Sequence, residues 1–198
     1  MKPRHTWLPD GTNSGLLLLI ALSLALFAVL LPGRFFTGAT FMSMAFQLPE
    51  LGLLTLGMFI AILSGGLNLA IIATANLTSL FIAWTLLHFL PVGAGTAMQL
   101  LWMALALLGA LLIATLIGVI TGLMVTRIGA HPILVTLATM ITLNGVGIWL
   151  TKGAAVSGMP EVVRALGADT LFGAPLPLWL FITAAALLAL FLGKTRTG

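Results

Sequence analysis

Cysteine is absent from the 198-residue chain, which excludes disulfides, thiolate metal sites and thiol catalysis and leaves the redox compartment unreadable. Charge is nearly as scarce, with 6% of residues charged against roughly 25% in soluble globular proteins. Histidine occurs only as His5, His88 and His131, too far apart in sequence to suggest a metal site. What fills the chain instead is hydrocarbon: 61% of residues are hydrophobic and the mean hydropathy is +1.23. Such a chain is an integral membrane protein. Its formal charge of +4 comes from basic residues scattered singly between apolar runs, which give topology rather than a footprint for nucleic acid.

The expected fold is an all-α polytopic transmembrane helical bundle of about six spans, a single domain over residues 1–198. Residues 1–14 form a polar tail, and residues 15–31 are continuously apolar up to Pro32-Gly33, an uncleaved anchor because no small-residue cleavage site follows. A hydrocarbon core of roughly 30 Å needs about 20 helical residues, which places the second span at 45–63. Glu50 then falls near one end of it, either as an interfacial carboxylate at a helix start or as a group lining a pathway. Ser64-Gly65-Gly66 turns the chain, so Gly65 and Gly66 mark a helix break, and the third span covers 67–90 with Asn68, Thr74, Asn76, Thr78 and an interfacial His88. Asn68 and Asn76 serve either interhelical hydrogen bonds or a solute. Polar groups and broken backbone inside hydrocarbon must be satisfied by protein or by a wet cavity, so residues 51–80 are where function is expected.

The fourth span, 100–125, carries Ala106, Ala110, Ala114, Gly118 and Gly122 at every fourth position, a small-residue ladder that forms a packing face. After a turn at Arg127–His131-Pro132, the fifth span covers 133–150 and contains Asn144. Residues 151–174 are the only long polar loop, with a short helix beginning at Pro160-Glu161 and closed by Gly167. The sixth span is 176–192. With the N-terminus inside, Lys2, Arg4, Arg127, Lys194 and Arg196 are cytoplasmic, and the 151–174 loop is extracytoplasmic.

Two motif fragments suggest catalysis and fail. Gly193-Lys194-Thr195 ends like a phosphate-binding loop, but Leu188 stands where its first glycine belongs. Ser157-Gly158 has no histidine after it to act as a base. No enzyme is expected, and no cofactor or metal.

Gly57-Met58 with Ser64-Gly65-Gly66-Leu67-Asn68-Leu69, then Gly122-Leu123-Met124-Val125 with Pro132-Ile133-Leu134-Val135-Thr136-Leu137-Ala138-Thr139-Met140, resemble in order and spacing two landmark stretches of the ribose-type permeases of bacterial ABC sugar importers. Thr195-Arg196-Thr197-Gly198 resembles the start of the family's cytoplasmic stretch toward the ATPase-docking segment. The resemblance implies a permease subunit of the bacterial cytoplasmic membrane that passes a sugar or related polyol. Its implied partners are a second permease subunit, like or unlike, an extracytoplasmic substrate-binding protein and a separate ATP-hydrolysing subunit. Asn68, Asn76 and Asn144 would offer the neutral hydrogen-bonding groups a polyol prefers. Asn68 stands where the family usually has aspartate, Ala70 where it has serine and Asn144 where arginine is common. Members of the family continue well beyond this length, so an N-terminal portion is expected. The rival readings are a small secondary carrier using Glu50 as a proton relay, and a non-transporting truncated fragment.

Overall fold

A computed structural model describes residues 11–194, with side chains from Ser14 onward. Lys2, Arg4, Arg196 and the Thr195–Gly198 stretch used above lie outside the described residues. The chain divides into two compact units, Met1–Ala45 and Phe46–Gly198.

In the first unit, α1 (Gly11–Leu30) is apolar throughout from Ser14. A turn at Gly33 follows, where the Phe27 and Phe35 rings stack at 5.6 Å. Thr37 then caps the next helix: its Oγ1 accepts the Thr40 N–H at 3.2 Å while its carbonyl receives the Phe41 N–H. That cap sets the start of α2 (Gly38–Leu63), a 26-residue helix with Pro49 inside it.

This start corrects the expected one at residue 45, and with it the placement of Glu50. The carboxylate stands in the middle of α2, beside the fully buried Pro49, and not at a helix start. A length argument supplies only a minimum span, whereas the Thr37 cap extends the helix backward by about two turns.

The second unit contains the remaining helices: α3 (Ile71–Phe89), α4 (Thr96–Ile128), α5 (Pro132–Thr151), α6 (Glu161–Ala168) and α7 (Leu176–Lys194). Among the described residues, five helices are long and apolar enough to cross a membrane, namely α2, α3, α4, α5 and α7, and Ser14–Leu30 is a shorter apolar helix. The all-α polytopic expectation is met. One exception is a two-residue hairpin, β1 (Thr170–Leu171) with β2 (Ala174–Pro175), inside the polar loop. Both of its turn residues, Phe172 and Gly173, have positive φ, as a tight hairpin turn requires.

α3 packs on α4 through a cluster of Leu86, Met103 and Ala106, against which Ile82 and Trp102 also lie. The amphipathic α6 covers the same cluster with Val162 and Val163 while Glu161 and Arg164 stay exposed. The aromatic ring of Phe81 on α3 fills the space beside Gly109 on α4, and Phe181 on α7 does the same at Gly52 on α2. The fourth helix is 33 residues, or about 50 Å, so its ends reach past a hydrocarbon core of roughly 30 Å. The short helix in the loop runs one residue past Gly167, closed by the Asp169 N–H on the Ala165 carbonyl, with Pro160 as its N-cap.

Candidate functional site

The expected break is present, and its geometry explains why α3 starts later than residue 67. Gly65 adopts φ +87° in the left-handed region, the Gly66 N–H reaches the Ala61 carbonyl at 3.1 Å and the Gly65 N–H reaches the Ile62 carbonyl at 3.0 Å. This is a glycine-terminated helix end in which both donors satisfy carbonyls α2 would otherwise leave bare. Residues 67–70 stay irregular. Asn68 serves that segment itself, its Oδ1 accepting the Ala70 N–H at 3.0 Å.

α5 holds the break in place. Thr136 is 4% exposed, and its hydroxyl lies 3.2 Å from the Leu67 carbonyl and 2.9 Å from that of Pro132. Gly66 packs against the Pro132 ring, which lies 3.5 Å from where a Cβ would stand. His131 before that proline is extended at ψ 128°, as steric clash with the proline ring demands.

A cleft of about 290 Å³ opens beside the break, lined by Gly65, Asn68, Gly118, Thr121, Gly122 and Thr136 among others. The small-residue ladder therefore divides along α4. Ala106 and Ala110 are buried and Ala114 is half-buried, whereas Gly118 and Gly122 face this cleft with nothing within 4 Å of an added Cβ.

The second cleft, about 670 Å³, lies between α3 and α5, and Asn76 and Asn144 both line it. No charged residue is among its walls, which also include Ser79, Thr151 and residues 153–156. The Ser79 hydroxyl donates to the Asn76 carbonyl at 2.8 Å and the Thr151 hydroxyl to that of Gly147 at 2.9 Å. Both oxygens thus keep only acceptor capacity. The side-chain amides of Asn76 and Asn144 make no hydrogen bond within the described residues, so each offers two N–H donors and a carbonyl to whatever occupies the cleft.

The four polar candidates thus separate. Asn76 and Asn144 share one cleft, Asn68 serves the break at another, and Glu50 lines neither. Among the described residues no group of three or more His, Cys, Asp or Glu could hold a metal ion. Ser79 and Thr151 were not singled out from sequence, although Asn76 and Ser79 are three apart and Asn144, Gly147 and Thr151 fall at i, i+3 and i+7, one face of a helix in each case.

Among the described residues, the tryptophans mark one end of these helices. Trp84 and Trp149 stand near the C-terminal ends of α3 and α5, and Trp102 and Trp179 near the N-terminal ends of α4 and α7. Arg127 and Lys194 stand at the opposite ends of α4 and α7.

Residues 40–198 match the family described as branched-chain amino acid transport system / permease component. Among curated relatives, the autoinducer 2 import system permease proteins LsrD of Photorhabdus luminescens and of Yersinia enterocolitica (serotype O:8 / biotype 1B) are each 27% identical over 154 residues, 75% of this chain and 43% of theirs. The corresponding protein of Photorhabdus laumondii is 25% identical over the same span. The chain spans less than half the length of these relatives. No solved structure matches. With five long apolar helices and a family match over residues 40–198, the chain is a multi-pass protein of the bacterial inner membrane and belongs to the transport permease family of that description.

Proposed function

We propose that this protein is a membrane-spanning permease subunit of an ABC importer that passes a neutral, polyhydroxylated solute, a sugar or related polyol, across the cytoplasmic membrane. The observation that carries this reading is the pair of unbonded amides, Asn76 and Asn144, on two helices facing one uncharged cleft. A polyol has hydroxyls that both donate and accept, which such amides match without any charge to desolvate. The family description names branched-chain amino acids, but a zwitterion would bring two charges into a cleft whose lining residues carry none. The import direction follows the curated relatives, each an import-system permease.

On this reading the protein is a conduit and not an enzyme. A separate ATP-hydrolysing subunit drives it, an extracytoplasmic binding protein delivers the solute, and a second permease subunit completes the passage. Transport alternates between states in which the cleft faces either side, each stabilised by its own partners. The termini lie inside and the 151–174 loop outside, consistent with the tryptophan-rich helix ends on the loop side and with Arg127 and Lys194 opposite. Glu50, exposed in the middle of α2, faces protein or a hydrated surface of the assembled importer, because a carboxylate against lipid at mid-depth costs roughly 2.5–3.5 kcal/mol.

Uptake of labelled ribose, glucose and L-leucine tests the reading. Cells stripped of their own importers would express the permease with its ATP-hydrolysing subunit and binding protein. Sugar uptake that Asn76→Leu and Asn144→Leu lower at unchanged membrane abundance supports it; uptake of leucine alone refutes it.

A further inference from the structure

Toward the tryptophan-bearing ends of α3 and α5, the polar cleft is continued by another of about 480 Å³, and Leu80, Thr151 and Val156 line both. Those three side chains form the sill between them. The walls of the second cleft are otherwise Phe81, Trp84, Leu87, His88 and Leu150. Its indole is braced on several sides: the ring centroids of Phe81, His88 and Phe89 lie 6.4, 5.1 and 5.4 Å from that of Trp84. Phe89 in turn stacks on Trp102 of α4 at 5.7 Å. Even so, Trp84 remains 49% exposed.

His88 adds a directional group. Its Nδ1 lies 3.0 Å from the Trp84 carbonyl, and a carbonyl can only accept, so Nδ1 carries the proton. With Nδ1 so engaged, it is Nε2 that has the lone pair to accept a hydrogen bond when the ring carries a single proton.

We propose that this aromatic cleft is the receiving site for the transported solute on the loop side, and that it takes a ring-form polyol, with an apolar C–H face on the Trp84 indole and one hydroxyl donating to His88 Nε2. The inference rests on the reading of the Asn76–Asn144 cleft as a polyol pathway and adds to it a place where the solute is held before crossing the sill. A sugar ring suits these walls because its C–H bonds, polarised by neighbouring hydroxyls, meet the electron-rich face of an aromatic ring. A lipid acyl chain would use the apolar walls but leave the imidazole acceptor unmatched, and an amino acid would bring charges that meet no counter-charge there.

The test uses the full chain with Trp7, Trp102, Trp149 and Trp179 replaced by phenylalanine, so that Trp84 is the only indole. Its emission is followed in nanodiscs as D-ribose, D-glucose or L-leucine is added. A saturable change with a sugar and none with leucine is expected. His88→Ala should raise the half-saturating sugar concentration about fivefold, the loss of one hydrogen bond, and His88→Gln should restore most of it. The proposal is overturned by emission indifferent to both sugars, by an equal response to leucine, by His88→Ala titrating like the parent, or by quenching from brominated lipid chains that sugar does not relieve. A silent Trp84 with sugar still protecting a cysteine at position 144 would refute this receiving site alone; failure of both would remove the polar-cleft reading with it.

Discussion

Replacing Gly109 with alanine tests the α3–α4 packing at its tightest point. A Cβ there would stand 2.6 Å from Phe81 Cε1 and 2.9 Å from Cζ, well inside van der Waals contact. Both atoms belong to the far end of the Phe81 side chain, so the ring must swing toward the cleft it borders or the two helices must move apart. Overpacking of this kind costs about 1–3 kcal/mol, against which alanine gains up to about 1 kcal/mol of helix propensity over glycine. Gly118→Ala on the same helix supplies the control, because nothing lies within 4 Å of its Cβ and only the favourable contribution applies. The two variants should therefore differ by about 1–3 kcal/mol, a factor of about five to about 150 in the unfolding equilibrium. Thermal unfolding in dodecyl maltoside reads this directly, and Phe81→Leu should rescue Gly109→Ala while doing nothing for Gly118→Ala. Equal melting of the two alanine variants would refute the packing argument.

Thr136→Val keeps the shape but removes the hydroxyl that reaches the Leu67 carbonyl, and should cost about 1 kcal/mol while speeding hydrogen exchange across residues 65–70. Asn68→Asp keeps the acceptor for the Ala70 N–H and should melt close to the parent, whereas Asn68→Leu should lose about 1 kcal/mol; a reversed order would contradict the role given to Oδ1. An added Cβ at Gly118 or Gly122 meets nothing within 4 Å among the described residues, so for Gly118→Leu and Gly122→Leu a loss of assembly on copurification, without loss of the isolated chain's stability, would locate a neighbouring membrane subunit at that face. For topology, a cysteine at Ser157 should react with a membrane-impermeant thiol reagent in intact cells and one at Gly129 should not; the opposite pattern would invert the orientation.

Much of this was legible because a membrane reduces the problem to length and apolarity. The α3, α4, α5 and α7 segments begin or end within a few residues of where hydropathy, Pro132 and the diglycine placed them. What escaped detection was local. Thr37 caps α2 through one hydroxyl, a signal with no period, and missing it misplaced Glu50 from the middle of a helix to its end. Residues 67–70 read as span because they are apolar apart from Asn68, but left-handed Gly65 ends α2 before them and the Asn68 side chain takes the Ala70 N–H just ahead of α3. The hairpin at residues 170–175 pairs too few residues to alternate. For the site, the asparagines were visible as polar residues in hydrocarbon, yet nothing in one dimension said that Asn76 and Asn144 would share a cleft while Asn68 would be occupied by its own backbone.

The most direct test of the central claim needs no partner subunit, and the lack of native cysteines makes it clean. Asn76→Cys and Asn144→Cys would be exposed singly to a water-soluble thiol reagent in nanodiscs, with and without D-ribose, D-glucose or L-leucine. A hydrated polyol cleft predicts that both cysteines react and that a sugar, but not leucine, slows them. Cysteines that stay unreactive, or that leucine protects as well as sugar does, would contradict it.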